Sequence, residues 1–124
     1  MDWLEYFKAK EGTGILSTAD GEGRVDSAIY ARPHVNDEGH LAFVMTGRLS
    51  YRNLTSNPWA VYLFKEDVPG YVGVRLYLRR IREESNAELI SQLRRRPASR
   101  DDEAEAKELH LVWFELVKQR PLVD

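Results

Sequence analysis

Val72-Gly73-Val74-Arg75-Leu76-Tyr77-Leu78-Arg79-Arg80-Ile81-Arg82 sets Val74, Leu76 and Leu78 against Arg75, Tyr77 and Arg79, residue by residue. A period of two sends the two sets to opposite sides of an extended chain, so the stretch reads as a strand with one buried and one polar face. Working outward, Gly14 to Ala19, Val25 to Val35, Leu41 to Met45, Ala60 to Lys65 and His110 to Lys118 are further strand-like runs, six in all. Asp20-Gly21-Glu22-Gly23 and Asn36-Asp37-Glu38-Gly39 supply turns, because glycine accepts positive φ without strain. Pro33 interrupts the second run, and a residue with no ladder donor belongs at an edge, an end or a bulge. Six antiparallel strands with few helices point to a closed or partly closed barrel of the mainly β (α+β) class, with an open α+β sheet as the alternative.

Three short helices are expected around it. Asp2 with Glu5 three residues on caps a helix over Trp3 to Lys10. Ser50 to Asn57 allows about two turns before Pro58, with Ser50 where an N-cap belongs. Ser85 and Glu88 form a capping-box pattern for a helix over Asn86 to Arg96. The acidic stretch from Asp101 to Glu108 reads as a loop with some helix.

The 124 residues fit one domain, 1–124, and a chain this short gains from burying surface against a second copy. A net charge of −2 offers no global field for a polyanion or an anionic membrane. The absence of cysteine excludes disulfides, thiolate metal sites and cysteine nucleophiles, and the simplest compartment is the cytoplasm. No stretch approaches the roughly 20 apolar residues of a spanning helix, so no membrane partner is expected.

Chemistry concentrates in Phe43 to Pro58. A strand delivers Thr46 and Gly47, and Ser50, Arg52 and Asn53 follow at the start of a short helix. Unpaired amides and the positive end of the helix dipole make an anion site there, which hydroxyls and a guanidinium reinforce. Capping alone by Ser50, with Arg48 and Arg52 solvated, accounts for the spacing equally well.

The order Thr46-x-x-x-Ser50-x-Arg52-Asn53-Leu54 and then Asn57-Pro58 resembles the phosphate-binding segment of the pyridoxamine 5′-phosphate oxidase-like split-barrel flavoproteins. Residues 23–32, Gly-Arg-Val-Asp-Ser-Ala-Ile-Tyr-Ala-Arg, look like the strand along which that family lays the isoalloxazine ring. The resemblance implies a six-stranded split β-barrel that binds flavin mononucleotide (FMN) at a homodimer interface. Thr46, Ser50 and Arg52 would hold the phosphate, with Asn53 close by; Ile29, Tyr30, Ala31, Val44 and Met45 would line the ring. Arg32 would add an anion or flavin contact, and Arg48 is a weaker candidate. Trp113, Tyr71 or Arg75 could reach the ring from the partner subunit. A flavin oxidoreductase fed by a reduced nicotinamide or another small redox partner is the implied activity, and a non-catalytic electron carrier or flavin store is the alternative. True oxidases of the family carry a longer C-terminal segment that helps hold pyridoxal phosphate, so pyridoxamine phosphate oxidation is not the expected reaction.

Other features carry less. Gly12-Thr13-Gly14 lacks a third glycine and precedes the first strand, unlike a dinucleotide fingerprint. His34, His40 and His110 have no metal-ligand spacing, and no serine sits in a Gly-x-Ser-x-Gly elbow. Arg79, Arg80, Arg82 and Arg94 to Arg96 would serve a flavin-free barrel that binds nucleic acid, but neighbouring acids and a helix C-terminus explain them, so no nucleic-acid partner is expected. The last strand, Val112 to Val117, is apolar on both faces, which either a subunit contact or a covering helix would explain.

Overall fold

The computed structural model describes residues 1–93 and 109–124. Its elements run α1 (Trp3–Ala9), β1 (Gly12–Ala19), β2 (Val25–Ile29), β3 (His34–Val35), β4 (Leu41–Met45), α2 (Leu49–Ser56), β5 (Trp59–Glu66), β6 (Gly73–Glu84), α3 (Ala87–Leu93) and β7 (His110–Pro121). The expected second strand is two strands. The chain leaves the ladder at Tyr30 and re-enters it at His34, after the buried ring of Pro33, so the sheet has seven strands instead of six.

The sheet is antiparallel throughout, in the order β2-β1-β5-β6-β7-β4-β3. Residues 30–33 alone join its two edges, and five chain steps reach at most about 18 Å. Laid flat, six strand spacings of about 4.8 Å would put those edges roughly 29 Å apart. The sheet must therefore curl into a barrel. Register shifts between Tyr77 and Leu78 and between Arg80 and Arg82 bend the long β6–β7 pair along the way.

The curl encloses an aromatic interior. Phe43 lies 4.8 Å from Tyr62 and 5.8 Å from Phe114, centroid to centroid, and Phe7 of α1 closes one end at 5.4 Å from Phe64. Leu16, Leu76 and Leu78 complete the inward rows, all fully buried. α1 is capped as expected: the Asp2 carboxylate accepts from the Glu5 amide at 3.2 Å. Its C-terminal end is held by Arg32, which donates to the carbonyls of Phe7 at 2.9 Å and Lys10 at 2.7 Å.

A second cluster forms on the outer face, where Ile90 of α3 packs over Ala42, Leu111 and Trp113. The covering helix thus accounts for the doubly apolar start of β7. α3 is capped by Asn86, whose side chain accepts from the Leu89 amide at 3.0 Å, one residue later than the Ser85 pattern suggests. Residues 94–96 and the acidic stretch 101–108 lie outside the described residues. Among those described, no helix is long and apolar enough to cross a membrane.

Gly14 is where the interior and the β2 edge meet. The Tyr62 hydroxyl donates to the Tyr30 carbonyl at 3.0 Å, and a Cβ on Gly14 would overlap that hydroxyl, its ring and the carbonyl itself. Gly14→Ala is expected to cost about 2–3 kcal/mol by overpacking, read as a lower denaturation midpoint at unchanged slope. A loss below about 0.5 kcal/mol would show that the contact yields freely.

Candidate functional site: a cleft at the split

β2 is an edge strand bonded only to β1, and β3 covers β4 only at Leu41 and Ala42. Two strand edges, that of β2 and that of β4 from Phe43 onward, therefore face each other across a gap in the barrel wall. The gap is a cleft of about 630 Å3. Ala28, Ile29, Tyr30 and Ala31 form one wall; Phe43, Val44 and Thr46 form the other, and Arg48, Leu49 and Ser50 of the α2 entry complete it.

The entry to α2 is built differently from its sequence pattern. Arg48 is the N-cap, with extended backbone (φ −92°, ψ −161°), and it gives no side-chain hydrogen bond to the first turn. Ser50 is thus the second residue of the helix, and the amides of Leu49, Ser50 and Tyr51 precede the first intrahelical bond, Arg52 N–H to the Arg48 carbonyl at 3.0 Å. Thr46, Arg48, Leu49 and Ser50 all line the cleft, so that the start of α2, two hydroxyls and a guanidinium form a donor set that suits a phosphate ester.

Seven of the ten residues proposed from the sequence line this cleft: Ile29, Tyr30, Ala31 and Arg32 on one side, Val44, Thr46 and Ser50 on the other. Three do not. Met45 alternates with Val44 and is fully buried in the barrel interior. Asn53 is buried behind the helix, where its amide donates to the Thr18 hydroxyl at 3.1 Å. Arg52 is exposed and outside the cleft. Ser50 and Arg52 are two apart on a helix and point to nearly opposite sides, whereas Arg48, at the cap, lines the cleft. Helical period applied to Ser50 would have separated the two. Asp26 and His34, which are not among the residues expected at the site, also line the cleft; the period-two alternation of β2, which turns Asp26, Ala28 and Tyr30 to one side, is the signal that points to Asp26.

α2 is fixed from three directions. Asn53 bonds Thr18 of β1, and Asn57 donates to the Asp20 carbonyl at 3.4 Å. Tyr51 donates to Glu83 of β6 at 2.9 Å and stacks on His110 of β7 at 3.9 Å. Burial, then the bond to Glu83, raises the Tyr51 phenol above its ordinary pKa. His110 and Arg80 lie 3.1 and 3.5 Å from the same Glu83 carboxylate. Elsewhere Arg79 pairs with Glu115, Arg82 with Glu84 and Arg75 with Asp124. Of the side chains considered for reaching a partner's cleft, Tyr71 is 76% exposed, Arg75 is engaged by Asp124, and Trp113 is buried under α3 with Arg82 over its ring.

Across nearly its whole length the architecture matches solved structures. An F420 reductase superposes with a TM-score of 0.73 at 14% identity, over 94% of this chain and 95% of the other. An FMN-binding protein from Syntrophomonas wolfei gives 0.72 at 19%, over 99% and 88%. A provisionally assigned pyridoxamine 5′-phosphate oxidase from Lactobacillus delbrueckii gives 0.68 at 16%, over 96% and 90%. The fold is the pyridoxamine 5′-phosphate oxidase-like split barrel. No family model matches the sequence, and no curated protein does. A heme-binding protein from Mycobacterium smegmatis and a heme storage protein from Vibrio cholerae share this split barrel as well.

Asn53→Ala leaves the buried Thr18 hydroxyl without its donor and is expected to cost about 1–3 kcal/mol of stability. Arg52→Ala should stay within about 0.5 kcal/mol of wild type. Equal losses in the two variants, measured by urea denaturation, would contradict this placement.

Proposed function

We propose that the cleft binds FMN, with the phosphate at the α2 entry and the isoalloxazine between the two strand edges. The observation that carries this reading is the meeting of the α2 N-terminus, which has no side-chain cap, with Thr46, Ser50 and Arg48 in a cleft that runs between two strand edges and is walled largely by apolar side chains. Phosphate would be held by helix amides and charge-assisted bonds. The outer edges of β2 at Ile29 and of β4 at Phe43 and Val44 would present main-chain groups to the ring. A cleft of this volume falls in the range of cofactor sites.

Bound FMN supplies the ability to accept and return a hydride, while the protein contributes anchoring, orientation and electrostatic tuning. The reading is therefore a small flavin oxidoreductase, with a reduced nicotinamide as a suitable hydride donor. It also includes a homodimer. The outer face of β2, β1 and β5 carries Ile29, Ile15 and Leu63 in one cross-strand row, with Val61 and the 51% exposed Trp59 beside it. A row of this kind left to solvent is what a subunit contact covers, and the partner would close the open side of the cleft.

Equilibrium titration of the purified protein with FMN tests the reading. Arg48→Ala combined with Ser50→Ala should weaken FMN binding by roughly 2–4 kcal/mol, given about 1.5–3 kcal/mol for a bond to a charged group. Arg52→Ala should leave it unchanged. A protein that takes up no FMN sinks the proposal, and an effect of Arg52→Ala without one of the double variant would move the phosphate. In the loaded protein, anaerobic bleaching by a reduced nicotinamide supports the enzyme, whereas inertness leaves an FMN carrier or store.

A further inference from the structure

Asp26 is the one acidic side chain among the described residues that line the cleft. It is half-buried on β2, and among the described residues its carboxylate has no hydrogen-bond or ion-pair partner. Of the two arginines that line the cleft, Arg32 is drawn to the C-terminal carbonyls of α1, and Arg48 stands on the α2 side.

The register places this carboxylate close to the phosphate end. Asp26 stands opposite Thr18, whose hydroxyl is bonded to Asn53. Asn53 lies three residues beyond Ser50, about 4.5 Å along the helix axis. Asp26 and Ser50 thus stand on neighbouring walls of the same cleft, linked through Thr18 and Asn53.

We propose that Asp26 opposes the phosphate charge and thereby makes FMN an exchangeable ligand of this cleft instead of a permanently held prosthetic group. The inference rests on the FMN reading above. Like charges about 5–10 Å apart in a solvated cleft repel enough to change affinity by about three- to tenfold when one of them is a phosphate. An inward charge on an edge strand can also serve only to block strand pairing, and that role would leave FMN affinity untouched.

The test is an equilibrium and stopped-flow titration of wild type, Asp26→Asn and Asp26→Ser with FMN, riboflavin and lumiflavin at low salt. Both variants should bind FMN about three- to tenfold more tightly and release it more slowly. Riboflavin and lumiflavin, which lack the phosphate, should stay within about twofold, and the FMN gain should shrink as salt screens the charges. Unchanged FMN affinity in both variants overturns the proposal, with the FMN reading intact. A parallel loss for FMN and riboflavin also overturns it, since Asp26 would then accept from a ribityl hydroxyl. Wild type that binds none of the three removes the FMN reading and this inference together.

Discussion

The structure turns on a hydrogen bond that crosses the barrel wall through a missing side chain. Tyr62, fully buried among the aromatic rings, passes its hydroxyl over Gly14 to the carbonyl of Tyr30. The Tyr30 amide donates back to the Gly14 carbonyl at 3.0 Å. Tyr30 is the residue at which the chain quits the β2 edge and starts its short passage to the opposite edge of the sheet. That passage forces the curl, and the curl brings the two free strand edges face to face. A buried hydroxyl needs a partner, so core packing and the position of the cleft wall are settled by the same contact.

The opposite wall depends on α2, a helix of eight residues too short to persist unaided. Its inner face is tied to β1 through Asn53 and Thr18, its end to the β1–β2 turn through Asn57, and its first turn to β6 and β7 through Tyr51. These ties anchor the helix through residues other than Leu49 and Ser50, the two that line the cleft. Rigidity and chemistry are thus divided between neighbours in sequence: Ser50 lines the cleft, and Tyr51 holds the helix that carries it. The same division separates Arg32, drawn to α1, from Arg48, which lines the cleft beside α2.

Most of the strand arrangement was legible because alternation and glycine turns are local signals. Leu76 and Leu78 face inward as their period implies, and Gly23 and Gly39 take positive φ in the turns marked for them. Pro33 announced an irregularity but not that the strand would be divided between two sheet edges, which is a property of the closed barrel. The α2 cap was misplaced by two residues because Ser50 is a better cap by preference than Arg48, and preference lost to the chain path out of β4. For the cleft, seven positions came from resemblance, whereas Met45, Asn53 and Arg52 required the strand and helix periods to be applied to each residue in turn. Nothing in the composition of β7 distinguished a covering helix from a second subunit; only the seat of Ile90 on Trp113 and Leu111 does.

If the α2 entry holds the phosphate and the β2 edge the ring of one bound FMN, two-dimensional amide NMR of the protein titrated separately with FMN and riboflavin reads it most directly. The amides of Leu49, Ser50 and Tyr51 should shift with FMN and hardly with riboflavin, while those of Ala28 to Ala31 should shift with both. Shifts confined to another surface, or α2 amides that respond no more to FMN than to riboflavin, would contradict it.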